Sequence, residues 1–427
     1  MQPHRDMSTG RAQARTLGAR PSTLRVYSLL VGWLLAQPAI AAELVHYRAF
    51  ATQQQAHAGL YGRSNDFQTV HSVSLDSQRT YNQHSLQFAA ASWLTLQSGA
   101  DRVDSKVSEA WWGYDVGNWQ WSIGKRKRDF DVNFAMRPLD MFSPTDPLAL
   151  YSLVAPGVLQ VAGDWFGDGH TMTLLCNQTQ PQFLNYAKPL NYGQPLAASW
   201  GCGARWYQQV DALEWQAVAH HDTDLGYRVG ASLQQVINDA LAWQSSLLWQ
   251  QHSVQTEYVA RVVTPVNPST TLDLPLVRVV EGRPATQWSI GVNYTSSLGF
   301  NLLAEYGYDG QAPAAASWQA FRDKVAQGPL QPLELKTSLQ LFASAHLSRQ
   351  QYFLHVRRSG EHALQPVLSV MYQPAVRGLL INGSLSYSAG EHSQLSFGFK
   401  RYLGPQQGAF ALLGLHSEAV AGFQYVF

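Results

Sequence analysis

Apolar side chains alternate with polar or small ones along most of this chain, in stretches of roughly nine to twelve residues. The clearest stretch runs from Gln83 to Ser98, where one parity carries Leu86, Phe88, Ala90, Ser92, Leu94 and Leu96. A period of two places successive side chains on opposite faces of a strand. Each stretch therefore predicts a β-strand with one apolar face. Because the pattern recurs up to the C-terminus, we expect an all-β chain.

The length of these stretches separates two kinds of all-β protein. Strands of soluble sandwiches average about 5 or 6 residues, whereas a tilted strand that crosses a bilayer needs about 9 to 11. Aromatic residues stand near the ends of several apolar faces, as in the girdles of membrane barrels: Tyr114, Trp119, Tyr294 and Tyr308. Charged residues are only 14% of the chain, against about 25% in ordinary soluble domains. These features favour a transmembrane antiparallel up-and-down β-barrel.

The N-terminal segment has the three parts of a secretory signal peptide. Five arginines precede the apolar run Val26–Ala36, and Ala39-Ile40-Ala41 follows it. An uncleaved membrane anchor is the weaker interpretation, because a spanning helix needs roughly 20 apolar residues. We expect cleavage of residues 1–41 and a single barrel domain over residues 42–427.

The C-terminus ends on a complete alternating strand. One parity carries Ala419, Ala421, Phe423, Tyr425 and Phe427, and the other carries Glu418, Val420, Gly422, Gln424 and Val426. This ending resembles the C-terminal signal read by the barrel assembly machinery of Gram-negative bacteria. The resemblance implies that Phe423, Tyr425 and Phe427 form the assembly signal, that this machinery is a partner, and that the protein resides in the bacterial outer membrane.

The number of apolar-faced stretches predicts about 16 to 18 strands, because single-chain bacterial barrels have even strand numbers. A barrel of that size has a lumen wide enough for water. Three insertions are long enough to fold over or into that lumen: residues 127–157, 177–199 and 311–335. The third contains a short helical pattern between Ala314 and Val325.

The only two cysteines, Cys176 and Cys202, stand at the ends of strand-like segments. Export places them in an oxidising compartment, so a disulfide is expected rather than a metal site. The bond either pins the intervening loop for a function or simply staples the structure.

A hairpin and the loop after it carry a family resemblance. The hairpin reads SEAWWGYDVGNWQWSIGKRKRDFD, the loop reads RPLDMFSPTD, and a later segment reads LAEYGYDGQ. These segments resemble the core hairpin, loop and a later strand of the alginate-export family and related outer-membrane porins. The resemblance implies passive export of an anionic exopolysaccharide through a basic pore. Gly124-Lys125-Arg126 stands where that family has Gly-Arg-Gln, which leaves the substrate open.

Strand parity predicts which charges face the lumen. The inward cations are Arg126, Arg128, Arg228, Arg261, Lys336, Arg357 and Lys400, and the inward carboxylates are Glu109, Glu257, Glu305 and Glu418. We expect Arg126 and Arg128 to be unpaired and to face water. An excess of seven over four favours anions, although porin interiors ordinarily carry charges of both signs.

Other function classes find little support in the sequence. A net charge of +1 does not suggest a nucleic-acid binder. The adjacent His220 and His221, followed by Asp222, lack a third metal ligand, and we find no Gly-x-Ser-x-Gly motif. We therefore expect no enzyme activity, no metal and no cofactor.

Two functions remain open. The first is a passive channel for an anionic polysaccharide or a small anion, in contact with outer-membrane lipid and lipopolysaccharide. Lys125 and Lys127 would meet lipopolysaccharide phosphates at the rim of that barrel. The alternative is a structural or assembly partner in a cell-envelope complex, with residues 127–157 occluding the pore.

We predict that deleting Phe427, or replacing it with Asp, sharply lowers the amount of folded barrel in the outer membrane. The aromatic end of the final strand is the assembly signal that either change removes. Heat-modifiable mobility on gels of outer-membrane fractions measures the folded amount. Unchanged folded protein in both variants would count against the membrane assignment.

Overall fold

The computed structural model describes residues 44–56, 66–97, 101–142, 157–179, 199–262, 273–330, 346–358 and 362–426, with residues 334, 335, 338, 341, 342 and 360. The predicted signal peptide, residues 1–41, lies outside the described residues. Among the described residues, no helix combines the length and apolar character that crossing a membrane requires.

Eighteen antiparallel strands and two short helices form the described elements that position the lumen. The strands are β1 (Leu44–Ala56), β2 (Asp66–Tyr81), β3 (His84–Gln97), β4 (Arg102–Val116), β5 (Trp119–Arg126), β6 (Val158–Gly167), β7 (His170–Thr179), β8 (Ser199–Val210), β9 (Leu213–Asp222), β10 (Gly226–Asn238), β11 (Leu241–Val262), β12 (Asp273–Thr295), β13 (Phe300–Asp309), β14 (Gln350–Arg358), β15 (Leu364–Gln373), β16 (Gly378–Ser388), β17 (Ser393–Leu403) and β18 (Leu415–Val426). The helices are α1 (Ala315–Gln327) and α2 (Ala409–Leu412).

Each strand pairs with its neighbours in the chain, and the sheet closes where β1 pairs with β18. The closing register runs from His46 opposite Val426 to Ala56 opposite Leu415. Closure leaves no sheet edge, which is the condition for a sheet to lie in hydrocarbon. The predicted all-β, antiparallel up-and-down barrel is confirmed, at the upper end of the expected strand number.

The two ends of the barrel differ in the length of their connections. At one end the strands join through tight turns, such as Gly117-Asn118 and Asp211-Ala212, where Gly117 and Asp211 have positive φ. At the other end lie the long connections between β5 and β6, β7 and β8, and β13 and β14. We call these the turn end and the loop end. Membrane barrels of bacteria keep short turns on the periplasmic side and long loops outside.

The outer face of the barrel carries the apolar parity. Leu86 is 55% exposed, Ile123 50% and Phe397 58%, and each points away from the lumen. Aromatic side chains gather towards both ends, with Trp119 stacked on Trp121 near the turns and Trp288 stacked on Tyr308 near the loops. Exposed apolar surface of this extent needs a nonaqueous neighbour, and the two aromatic zones are typical of membrane interfaces.

One hairpin extends past the barrel wall. Strand β10 pairs with β11 only up to Arg228 opposite Gln250, whereas β11 and β12 continue to pair with each other to Val262 opposite Asp273. The alternating stretch from Val254 to Val262 is therefore the outer half of β11, and it is not a separate crossing of the bilayer.

The predicted disulfide between Cys176 and Cys202 is present. The two residues lie directly opposite each other on β7 and β8, and both are exposed on the outer face. The strand pairing continues beyond the bond to Thr179 opposite Ser199. The bond thus joins two strands within the barrel wall, which agrees with the stapling interpretation more than with a pinned loop.

We predict that replacing both Cys176 and Cys202 with Ser leaves a folded barrel that unfolds at a lower temperature. The ladder between β7 and β8 persists without the bond, but the variant loses a cross-link that contributes about 3 to 4 kcal/mol in the chain-entropy model. Heat-modifiable mobility against temperature, with and without reductant, measures the change. Equal unfolding temperatures of the oxidised wild type and the variant would contradict this expectation.

Candidate functional site

A segment of the first long connection folds back into the barrel and crosses the lumen. We call residues 127–142 the constriction segment. It leaves the end of β5 and reaches the inner faces of β9, β11, β12 and β13 on the other side. No strand pairing holds it, so its place depends on side chains of the wall.

The carboxylate of Glu305 is one of these anchors. It accepts hydrogen bonds from the backbone N–H groups of Phe134 at 2.6 Å and Ala135 at 2.7 Å, and from the side chain of Gln244 at 3.1 Å. Glu305 is 5% exposed. Parity places Glu305 on the inner wall as expected, but its charge binds the constriction segment and does not face water.

Asp131 is the anchor within the segment itself. Its carboxylate accepts from the backbone N–H groups of Asn133 at 2.9 Å and Leu139 at 2.6 Å, and from the hydroxyl of Ser246 at 3.1 Å. Burial raises the pKa of Asp131 to about 6, although these hydrogen bonds and the nearby Arg137 act in the opposite direction. This carboxyl can therefore change its charge within the physiological pH range.

The underside of the constriction segment is apolar. Leu139 and Phe142 are fully buried and pack with inward side chains such as Val218 and Leu248. The wall provides room for them at glycines, since a Cβ at Gly230 would collide with Leu139. The segment therefore seals against β6 to β11 and does not hang freely in the lumen.

The third predicted insertion covers another part of the inner wall. It contains α1, as the helical pattern predicts, and the fully buried Trp318 and Phe321 of α1 belong to one apolar cluster with Phe410 of α2. A row of inward residues on neighbouring strands underlies this cluster: Phe353, Met371, Leu380 and Tyr402. In α1 the ring of Phe321 lies 5.5 Å from that of Tyr258 on the outer half of β11, and Trp318 donates to the carbonyl of Leu347 at 2.6 Å. In α2 the ring of Phe410 packs against Tyr402 of β17.

Two predicted pore cations meet one carboxylate at the end of β5. Arg128 donates two hydrogen bonds of 2.8 Å to Asp164, and a third of 2.7 Å to Gln160. Its side chain is 8% exposed. The expectation of an unpaired, water-facing Arg128 is wrong, because β5 ends at Arg126 and the following residues turn back against β6.

Arg126 differs from Arg128 in both pairing and exposure. Its side chain is 20% exposed and lies 3.8 Å from Asp164, which Arg128 already neutralises. It donates to the hydroxyl of Ser122 at 3.1 Å, and its guanidinium stands 4.3 Å from the centre of the Trp111 ring. The stacked ring fixes the cation at the lumen face without cancelling its charge.

Arg228 is also buried and paired. It is 4% exposed, donates to His220 at 2.9 Å and lies 3.9 Å from Asp222. His221 projects from the opposite face of β9, so the two adjacent histidines do not converge. Among the described residues, no group of three or more His, Cys, Asp or Glu side chains could hold a metal ion.

The remaining predicted charges are spread widely. Arg357 lies exposed on the inner parity of β14, and Lys400 stands opposite Glu418 on β17 and β18. Arg261 and Glu257 lie on the part of β11 that extends past the barrel, and Glu257 pairs there with Arg283 at 2.9 Å. They are therefore not placed to line the lumen.

Three of the residues predicted from the sequence cannot be placed in this way. The side chain of Arg261, and the whole of Lys336 and Phe427, lie outside the described residues.

Arg48 and Arg205 also point inward, although they are not among the pore-lining residues predicted from the sequence. Arg48 on β1 donates to Gln424 across the closing pair of strands, at 3.1 Å. Arg205 on β8 donates to Gln216 and stacks on Phe130 of the constriction segment, 4.7 Å from the ring centre. Parity could have assigned Arg205, since Cys202, Ala204 and Trp206 form the apolar parity of β8. The parities of β1 are too mixed to assign Arg48.

An accessible part of the inner wall lies on β2 to β5. It forms a polar recess of about 400 Å³ beside the constriction segment, lined by Gln78, Ser85, Gln87, Glu109, Trp111, Gln120, Arg126 and Lys127. Glu109 accepts the backbone N–H of Lys127 at 3.0 Å, and the Lys127 ammonium lies 3.8 Å from the same carboxylate. The expectation that Lys127 points outward is therefore wrong, because β5 ends at Arg126 and the strand parity does not continue to Lys127. This recess is the candidate functional site.

Comparison with known proteins supports the fold at low sequence identity. The chain is similar to the solved structure of Acinetobacter baumannii OccAB1, with a TM-score of 0.54 at 10% identity over 90% of this chain and 95% of that one. It is similar to Pseudomonas aeruginosa OpdQ, with a TM-score of 0.54 at 9% identity over 90% of this chain and 98% of that one. It is also similar to Pseudomonas aeruginosa OccK2 (OpdF) in complex with glucuronate, with a TM-score of 0.52 at 11% identity over 90% of this chain and 97% of that one.

These structures are outer-membrane porins, and they share the barrel fold with this chain. No protein-family model matches the sequence, and no curated protein matches it either. The resemblance of SEAWWGYDVGNWQWSIGKRKRDFD to the alginate-export family therefore stays a prediction.

We predict that docking of the constriction segment weakens as the pH rises from 5 to 8. Burial raises the pKa of Asp131, so the stabilisation by its protonated form is complete below the ordinary Asp pKa and disappears as the pH rises through about 6. Single-channel records should show more frequent steps to larger conductance at pH 8.

The matched control for this pH dependence is Asp131→Asn, which stays neutral at every pH. Its step frequency should be nearly constant between pH 5 and pH 8. An equally steep pH dependence in this variant would assign the effect to another group.

Proposed function

We propose that this protein is an outer-membrane channel that passes small anions by passive diffusion. The observation that carries the proposal is the partly exposed Arg126, which lines an accessible polar recess beside the constriction segment and lies 3.8 Å from a carboxylate that Arg128 already neutralises. A cation fixed at the narrow part of an aqueous pore lowers the barrier for anions. The apolar outer face and polar inner face agree with a barrel that spans a membrane.

The inward segments favour a small solute over an exported polymer. The constriction segment is anchored by Glu305 and by Asp131, and α1 is held by its buried Trp318 and Phe321. Passage of a polysaccharide chain would have to displace these packed segments. The related OccK2 structure contains glucuronate, a single sugar acid, which agrees with a small carboxylate as solute.

The proposed location implies the partners expected from the sequence. The assembly machinery would read the end of β18, where Phe423 and Tyr425 lie on the outer parity. Lipid would cover the apolar outer face, and lipopolysaccharide would contact the loop end. The proposal assigns the chain no enzyme activity and no nucleic-acid partner, since a passive channel requires neither.

The anchoring of the constriction segment also favours the second candidate function, a structural or assembly partner with an occluded pore. Conductance of the purified protein in a planar bilayer decides between them. A stable ohmic current supports the channel. Its absence from correctly folded protein favours the partner role.

We predict that Arg126→Ser lowers anion preference without unfolding the barrel. The variant removes the partly exposed cation of the recess, whereas Arg128 keeps Asp164 neutralised. Reversal potentials in a salt gradient measure the preference. The anion preference of the wild type should also weaken as salt rises from 0.1 M to 1 M, because the Debye length falls from about 10 Å to about 3 Å.

The matched control is Arg128→Ser, which should act on stability instead. It leaves the buried Asp164 with Arg126, 3.8 Å away, in place of the two short hydrogen bonds from Arg128, and breaking a buried pair costs about 3 to 5 kcal/mol. Lower thermal stability is expected for this variant. A cation-selective wild type, or unchanged selectivity in Arg126→Ser, would refute the anion channel.

A further inference from the structure

A groove of about 620 Å³ lies on the outer face of the barrel, across β15 to β18 and onto β1 and β2. We propose that it binds an acyl chain of lipopolysaccharide, while Arg401 at the loop end binds a phosphate of the same lipid. This inference rests on the proposed outer-membrane location, and it does not depend on conduction through the barrel.

Small side chains form the floor of the groove and aromatic rings form its sides. On the floor, Ala421 of β18 lies opposite Ala51 of β1. The sides are Phe399 of β17 and Phe67 of β2, both about half exposed. The ring of Phe399 lies over Gly383 of β16, where an added Cβ would collide with it. The ring thus leans away from β18, and the floor stays open to the bilayer as an apolar trough.

The row of outward residues at the loop end of the groove is polar. Arg401 lies opposite Ser417, and Ser417 lies opposite Gln55. The hydroxyl of Ser417 donates to the amide oxygen of Gln55 at 3.2 Å, which leaves the amide N–H groups of Gln55 as donors. From Ser417 to Ala421 the strand advances about 13 Å at 3.3 Å per residue. Over this distance the outer face changes from polar to apolar, in the same order as a lipid changes from headgroup to acyl chain.

Arg401 is a partly exposed cation on this outer face. In the described part of the chain its guanidinium has neither an ion-pair partner nor a hydrogen-bond partner. The adjacent Lys400 and Glu418 are opposite each other on the inner face and do not neutralise it. Among the outward residues of β15 to β18, β1 and β2, the other charged side chain is Arg79 at the turn end. A guanidinium fork beside amide donors suits the oxygens of a phosphate.

The charge of Arg401 also distinguishes a lipid from a second copy of this chain. In a twofold dimer the same surface of each copy forms the interface, so two Arg401 side chains would come together there. The described outward residues of these six strands provide no carboxylate to compensate them. A phosphate provides the opposite charge. Long loops of bacterial barrels lie outside, and the leaflet on that side contains lipopolysaccharide.

The test titrates the purified, delipidated barrel in detergent with diphosphoryl lipid A and counts bound lipids by native mass spectrometry. We expect a saturable one-to-one complex. Lipid A without its phosphates should bind about tenfold more weakly, the equivalent of a lost charge-assisted hydrogen bond. Inorganic phosphate alone should not bind, because it cannot occupy the apolar groove. Equal binding of lipid A with and without phosphates would overturn the proposal.

Two kinds of variant test the two parts of the site. Arg401→Ser should weaken lipid A binding about tenfold, and Arg401→Lys should retain most of the affinity. Ala421→Phe should weaken binding by filling the groove without a change of charge. Its matched control is Ala304→Phe, which alters an exposed alanine on the outer face of β13, outside the groove. Equal affinities of Ala421→Phe and Ala304→Phe would refute the groove as the site of the acyl chain.

The same spectra distinguish the other outcomes. Complexes of two protein chains that disappear in Ala421→Phe would assign the groove to a second copy and overturn the lipid site. Folded wild-type protein that binds no lipid A would overturn it as well. Heat-modifiable mobility shows which variants are folded, and Ala419→Phe provides the same test if Ala421→Phe folds poorly. None of these results requires a current, so a barrel without conductance would contradict the proposed channel alone.

Discussion

Backbone hydrogen bonding is the constraint on which this structure depends. In hydrocarbon an unpaired N–H or C=O costs several kcal/mol, so a sheet in a membrane has to close on itself. Here the closing contact joins β1 to β18, with His46 opposite Val426 at the turn end. Once the ring is closed, one parity of each strand faces out and the other faces in. Segments of the long connections can then enter the interior only through the loop end.

The sequence predicts the strands well because their signal is local. Leu86 and Phe88 identify the outer face of β3 without reference to any other part of the chain. The constriction segment has no such signal, since its contacts are distant in sequence: Asn133 donates to Ser246, 113 residues further along. Parity correctly turns Glu305 inward. It cannot reveal that the partners of Glu305 are backbone N–H groups of a segment without periodicity.

Pairing of charges shows the same limit. Parity treats Arg126 and Arg128 as equivalent because they are two residues apart. The strand ends between them, and Arg128 folds onto Asp164 while Arg126 stays at the surface of the lumen. A count of inward charges therefore overstates the field in the pore. The useful quantity is the charge that remains exposed after buried pairs have cancelled, and in the candidate site this is Arg126.

The inward segments make the lumen one-sided, and this changes how a single charge acts. The constriction segment covers inward residues of β6 to β11, α2 packs against Tyr402 of β17, and α1 packs against Tyr258 of β11. The recess on β2 to β5 stays accessible beside the constriction segment. Near such a wall an ion loses part of its water shell, and the effective dielectric constant is lower than in bulk water. Arg126 then acts on a solute at close range, whereas the covered Arg228 is screened by its own partners. Selectivity in this barrel is thus decided less by its total charge than by which wall the inward segments leave open.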